Sequence, residues 1–401
     1  MELKKIHISD IGKIVTGKTP RTSVAENYDG YIPFLTPSDD LSHKSAPKTT
    51  KTLTEQGLNE VRNCLLPSRS ICVSCIGSDL GKVVMTKEPT VTNQQFNSII
   101  PNKNFNADFV YYFMTLVGRE LNYLSKTSTA VPIINKSSFS NYEIEVPDLE
   151  TQNRIASILS SIDSKIELNR RINDNLEQQA QALFKSWFVD FKPFRGGEFV
   201  DSELGLIPKG WRVVSLGEVT KQITEKVGNR EDVTVLSPIN SGELVLSEEY
   251  FTKQVFSKDL SKYLIVNPLS FAYNPARINI GSIGLNTFDF VGCVSPVYVV
   301  FECEPNYQYF FDFFKRTAMF KDEVALRAIG GVRQSLGYND LSLIKTIYPT
   351  SDVVVEFNNL YLKMKEVMIK NTDQNEKFIS LRDSLLPKLM SGELKINEFN
   401  C

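Results

Sequence analysis

Gly12-Lys-Ile-Val-Thr-Gly17-Lys18-Thr19 is a literal match to the phosphate-cradling pattern G-x-x-x-x-G-K-[ST]. That loop holds phosphate when it opens a helix, whose first amides and dipole face the anion. Here Pro20 follows at once, and RTSVAENYDG carries no helical apolar stripe. A nucleotide hydrolase would have to lose ATP hydrolysis on Lys18→Ala. Cys72-x-x-Cys75 is a second candidate, for zinc or redox work. It sits in the apolar run ICVSCIG, no second such pair accompanies it, and His7 and His43 are the only histidines. Buried small thiols fit that context better. Asn274-Pro275-Ala276-Arg277 lacks the second proline and the aromatic of the amino-methyltransferase motif, and no G-x-G cofactor loop accompanies it. Asp383 with Glu393-x-Lys395 satisfies only a loose nuclease pattern. With neither histidine near a nucleophile, Ser–His and Cys–His catalysis have no basis. The chain reads as non-catalytic, with no metal or cofactor of its own.

What remains are polar loops whose side chains suit recognition. In the first part of the chain they are GKTPRTS (17–23), GSDLGK (77–82), TNQQFN (92–97) and KTSTAVP (126–132). In the second they are NPARINIGS (274–282), CVSPVY (293–298) and AIGGVRQS (328–335). Asn, Gln and Arg can read base edges bidentately, while Ser, Thr, Lys and glycine amides suit phosphate. Lys315, Arg316, Lys321, Arg327 and Arg333 also read as a solvated helix face diluted by Asp312, Asp322 and Glu323.

Two long helices must position these loops. Over residues 151–189 the seam Ile155, Leu159, Ile162, Ile166, Asn169, Asn173, Leu176, Ala180, Leu183 and Trp187 keeps heptad spacing, the signature of a coiled coil. It recurs 202 positions later as Phe357, Tyr361, Met364, Met368, Asn371, Asn375, Phe378, Arg382, Leu385 and Leu389, with Arg382 the one charged mismatch. If the helices run antiparallel, Asn169, Asn173, Asn371 and Asn375 meet and set the register of the pair, since an amide facing Leu or Ile is penalised. Each globular part reads as short strands with one amphipathic helix, at 106–124 and 307–326. IHISDI is matched by VSLGEV, and Pro147 by Pro349. The fold class expected is α+β (mixed α/β): two tandem globular domains joined by two long antiparallel coiled-coil helices, a pseudo-twofold duplication. The segments are 1–148, 149–195, 196–349 and 350–401.

The 401 residues suffice for two or three domains with real cores. At 42% apolar and 23% charged, with net charge −2, the chain is an ordinary globular protein without a gross basic excess. Each globular part is close to charge balance, which speaks mildly against unaided DNA binding. No apolar run reaches the roughly 20 residues that span a bilayer, and MELKKIHISDIGKIV has no signal-peptide core. A cytoplasmic protein is expected. Six cysteines in a chain this long do not make a disulfide framework.

Taken in order, GKTP, Gly77…Gly81-Lys82 with NQQ (93–95), VPDLETQNRIASILSSIDSKIELNRRINDNLE, LFKSWFVDF, LGLIPKGW, NPARINIGS, VSPVY and LLPKLMSGEL carry a resemblance. Over essentially its whole length the chain resembles the DNA specificity subunits of type I restriction–modification systems. The resemblance implies two target recognition domains, each reading half of a split asymmetric sequence. It implies helices that set the spacer and dock methyltransferase subunits, two in number, together with ATP-dependent restriction subunits. S-adenosylmethionine, ATP and Mg would then sit on those partners. The second helix departs from the pattern in having Val354 where Gln is expected. A helix of roughly 37 residues is about 55 Å long, against about 34–36 Å for a turn of B-DNA. By motif match, Lys18, Thr19, Lys82, Asn93, Gln94, Gln95, Thr129 and Val131 lie at the first DNA surface. Asn274, Arg277, Asn279, Ser282, Arg333 and Gln334 lie at the second. A coiled-coil scaffold that never meets DNA, and the specificity subunit of a type II restriction–methylation enzyme, are the alternatives.

Overall fold

The computed structural model describes residues 2–45, 48–125, 133–251, 256–327 and 335–394. The chain divides into two compact units. Unit 1 joins Met1–Arg171 to Lys370–Cys401, and unit 2 is Ile172–Ile369.

In unit 1, Lys4–His7 pairs antiparallel with Glu143–Val146, so the two ends of the globular part leave side by side. Between them Gly12–Thr16, Phe96–Pro101, Ile71–Ser74 and Val83–Met85 form a four-stranded antiparallel sheet in that order. Lys51–Leu53, Tyr28–Leu35 and Val91–Thr92 form a smaller sheet whose last pair is parallel. Helix Ala107–Ser125 is started by Asn106, whose Oδ1 accepts from the amides of Asp108 (2.9 Å) and Phe109 (3.1 Å). It buries Phe109, Val110, Met114 and Val117 in the main core of the unit. Cys72 and Cys75 enter different cores, three residues apart on one strand end. Burial pushes their thiols up to about 12 and about 11, and each packs in its own core.

Unit 2 repeats the plan, with one strand more in its second sheet and an added hairpin of Phe199–Ser202 and Gly205–Pro208. Arg212–Ser215 pairs with Lys345–Tyr348. Thr220–Ile223, Val299–Cys303, Phe271–Tyr273 and Ile283–Leu285 make the four-stranded sheet, again antiparallel. Leu244–Leu246, Thr234–Pro238, Gly292–Val294 and Leu264–Val266 make the second, with a parallel pair in the equivalent place. The helix expected at 307–326 is broken. It forms as Gln308–Phe314 and Ala318–Arg327. Thr317 restarts it, its Oγ1 accepting from the Phe320 amide at 3.3 Å. Lys315, at the break, is buried rather than solvated, and its ammonium donates to backbone carbonyls of other segments.

The long helices are Leu149–Phe188 and Ser351–Ser391, and each gives one half to each unit. Within unit 1 the halves pack antiparallel: Ile155 and Leu159 share a core with Leu386, Leu389 and Met390, while Asp163 meets Arg382 and Ile166 meets Asn375. Arg382, the mismatch in the apolar seam, is bound by Asp163 at 2.9 Å and by Asp383. Asn169 Nδ2 donates to Asn375 Oδ1 at 3.0 Å, and Asn375 Nδ2 donates to the Ile166 carbonyl at 3.3 Å. Asn371 lies half-buried on the same helix. Within unit 2, Asn173 Nδ2 donates to the Met368 carbonyl at 3.0 Å. The expected seam drifts there. Ala180, Phe184 and Phe188 are the buried positions, not Leu183 and Trp187. A straight helix precesses against a strict heptad, and here it packs on Phe310 and Phe313 as well as on Phe357 of its partner helix. Gln152 is buried, donating to the Pro147 carbonyl and accepting from the Asn106 amide. Val354, its counterpart, fills the apolar core, and Asn358 makes the reach instead, donating to the Asn306 carbonyl at 2.6 Å. No described helix is long and apolar enough to cross a membrane.

Candidate nucleic-acid interface

In unit 1 the loop at 17–19 lies on the turn at 92–95. The Gly17 amide donates to the Phe96 carbonyl at 3.1 Å. A Cβ on Gly17 would stand 2.1 Å from the Asn93 carbonyl oxygen, so a larger residue would force the two loops apart. Thr19 Oγ1 donates to Gln94 Oε1 at 2.6 Å. Lys18, Thr19 and Gln94 are exposed and form one patch from segments distant in sequence. Asn93 and Gln95 do different work. Asn93 is buried; its Nδ2 donates to Gln95 Oε1 at 2.9 Å and its Oδ1 accepts from the Gln95 amide at 3.0 Å. The pair shapes the turn that holds Gln94 outward. The Gln95 carbonyl accepts from the Cys75 amide at 2.7 Å and so ties this turn to the loop at 75–82. On that loop Lys82 is exposed and paired with Asp79 at 2.8 Å. Thr129 and Val131 lie outside the described residues.

The phosphate-loop match loses its context here. Gly12–Thr16 is a strand, and residues 17–24 lead into a single 3-10 turn, Ala25–Asn27, not into a helix facing the loop.

In unit 2 the strand Phe271–Tyr273 runs into a tight loop. Asn274 Oδ1 accepts from the Ala276 amide at 3.0 Å, and its carbonyl accepts from the Arg277 amide. Next comes the 3-10 turn Ile278–Ile280, with Ile278 buried as an anchor and Arg277, Asn279 and Ile280 exposed. Asn274 is half-buried and holds the turn, whereas Arg277 and Asn279 project from it. Ser282 is buried, and its hydroxyl donates to the Pro238 carbonyl at 2.8 Å. It is a brace, not a surface group. The Leu336 amide donates to the Pro275 carbonyl at 3.1 Å, which brings the chain after 334 to this loop. Arg333 and Gln334 themselves lie outside the described residues.

Equivalent turns carry different chemistry. Asn93–Phe96 is closed by the Phe96 amide on the Asn93 carbonyl, and Ser295–Tyr298 by the Tyr298 amide on the Ser295 carbonyl. Where unit 1 offers Gln94 and Gln95, unit 2 offers Pro296 and Val297, the latter 71% exposed. Sequence reasoning also passed over Asn240, an exposed amide beside the loop of Arg277 and Asn279. The signal was an Asn-Ser-Gly turn after a strand.

A fold of this kind, duplicated and hung on two long helices, is matched among known proteins. Residues 1–178 fit the family described as the type I restriction modification DNA specificity domain. A relative spanning both halves is the type I restriction enzyme MjaIX specificity subunit of Methanocaldococcus jannaschii, 28% identical over 99% of this chain and 94% of its own. The chain belongs to the type I restriction–modification specificity subunits. The HindI specificity subunit of Haemophilus influenzae is 35% identical over 42% of this chain and 38% of its own. The crystal structure of the S subunit from M. genitalium shares the fold, with a TM-score of 0.53 at 15% identity over 97% of this chain and 96% of that one. As a specificity subunit the protein recognises a DNA target sequence and is itself non-catalytic.

Proposed function

We propose that each compact unit of this specificity subunit reads one half of a split, asymmetric DNA target. The observation that carries this reading is duplication without chemical repetition. The strand order recurs in both units, yet the turn bearing Gln94 in unit 1 bears Val297 in unit 2. Identical folds offer equivalent poses, and unlike side chains at equivalent places read unlike bases. In unit 1 the reading surface is Lys18, Thr19, Gln94 and Lys82, shaped by Asn93 and Gln95; Thr129 and Val131, outside the described residues, are assigned to it by motif match alone. In unit 2 it is Arg277 and Asn279, shaped by Asn274 and Ser282; Arg333 and Gln334, outside the described residues, are assigned to it by motif match alone.

In this reading the helices set the spacer, the asparagines Asn169, Asn173, Asn371 and Asn375 hold their register, and the outer faces dock methyltransferase subunits. An outward stripe on the unit 2 half of the second long helix supports docking. Val355, Leu362 and Ile369 recur every seven residues and are 38%, 41% and 51% exposed. Two methyltransferase subunits carry S-adenosylmethionine, restriction subunits carry ATP and Mg, and the assembly works on DNA in the cytoplasm. The test is a methylome of cells expressing the chain with its methyltransferase subunit, with and without the chain. A split motif that depends on the chain is the expected result. A stable complex that modifies no motif would overturn the reading in favour of a scaffold without DNA contact.

A further inference from the structure

We propose that Lys315 is a positioning residue for target recognition by unit 2, clamping the reading loop 274–282 to the turn 238–243 so that Asn240 joins Arg277 and Asn279 on one reading surface. The inference rests on unit 2 being a DNA reader. Lys315 follows helix Gln308–Phe314, and its side chain is 4% exposed. Its ammonium donates to the Ile283 carbonyl at 2.9 Å and to the Gly242 carbonyl, and it pairs with Asp312 at 2.8 Å. All three of its donors are thus used, two of them on backbone from different segments.

A buried ammonium is a costly way to fill space, and a methionine of similar length would avoid the desolvation. What the charge adds is a hold on two carbonyls that no apolar side chain provides. The two segments it joins already meet closely. Gly281, at φ +95°, would carry its Cβ 2.6 Å from the Asn240 carbonyl oxygen, and Ser282 donates to the Pro238 carbonyl. Asn240, Ser241, Asn279, Ile280 and Lys321 then rim a cleft of about 310 Å³ with Lys315 in its wall. Reading by amide and guanidinium groups needs placement to within about 0.5 Å, and a loop whose 3-10 turn is one turn long does not supply that alone. The clamp does.

The experiment uses the assembled methyltransferase complex. Methylation is measured on duplexes altered in one half of the target or the other, for wild type, Lys315→Met, Asn240→Ala and Val354→Ala. Val354 is fully buried in the same unit, so Val354→Ala is a control for lost stability. For Lys315→Met and Asn240→Ala, the preference for the cognate sequence is expected to fall about tenfold in the half read by unit 2. The other half keeps its preference. Should Lys315→Met fail to assemble, Asp312→Asn removes the counter-charge while leaving both carbonyls, and is expected to loosen the same half by less. Unchanged preference in the variants, or equal loosening by Val354→Ala, would overturn the clamp. A wild-type complex with no split motif would instead refute the DNA-reading role of unit 2.

Discussion

Gln94 and Arg277 carry exposed reading chemistry in the two units, one an amide and the other a guanidinium. Truncating either to alanine is expected to cost about 1–3 kcal/mol of discrimination at one base position. Gln94→Ala should relax one half of the target and Arg277→Ala the other, as read by sequencing of modified sites. At Asp108 burial opposes ionisation, yet Lys44 at 2.8 Å and Arg69 hold its carboxyl below the ordinary carboxylate range. A depressed carboxylate adds stability above its unfolded pKa and loses it as pH falls through the folded value. Lys44→Met should therefore move the acid-unfolding midpoint of the protein to higher pH, measured by circular dichroism. Residue type alone nominated Gln94 and Arg277, and both are exposed. It also nominated Asn93 and Ser282, which face inward, because polar loops must first satisfy their own backbone and the pattern does not say which amide does that work. Lys315 was unreadable for the opposite reason: a lysine in a charged run looks solvated until the carbonyls it holds are seen.

At the scale of elements, the long helices were legible because heptad spacing persists where propensity alone would be ambiguous. The first starts after Asp148, whose carboxylate accepts from the Thr151 amide at 2.8 Å. The drift to Phe184 and Phe188 was not legible, since it depends on the phenylalanines of a helix more than a hundred residues away. The asparagine contact in unit 1 makes a clear forecast. Asn375→Leu alone removes the bond to Asn169, which keeps only Gln374 Oε1 at 3.2 Å, and the bond to the Ile166 carbonyl, and should destabilise by about 1–3 kcal/mol. Asn169→Leu with Asn375→Leu should recover most of it, giving a non-additive double-mutant cycle in denaturant titrations. Phe184, 4% exposed and ringed by Phe310, Phe313 and Phe357, should cost about 3–5 kcal/mol when cut to alanine.

For the molecule as a whole, charge balance and duplication pull in one direction. With net charge −2 the chain has no excess of cations to displace the counterions of DNA. The slope of log affinity against log salt should be shallow for the isolated chain and steep for the complex with its methyltransferase subunits, as fluorescence anisotropy on a target duplex can measure. The division into units has a further consequence during synthesis. Unit 2 is an unbroken stretch, residues 172–369, whereas unit 1 is finished only by Lys370–Cys401. Unit 2 is thus nested inside the sequence of unit 1. While the ribosome adds residues 172–369, at about 5–20 residues per second, the apolar face at Ile155 and Leu159 waits roughly 10–40 s for Leu386 and Leu389. The first domain to emerge is the last to close, and a nascent chain stopped short of its final helix leaves a sticky, half-built unit for chaperones or proteases to claim.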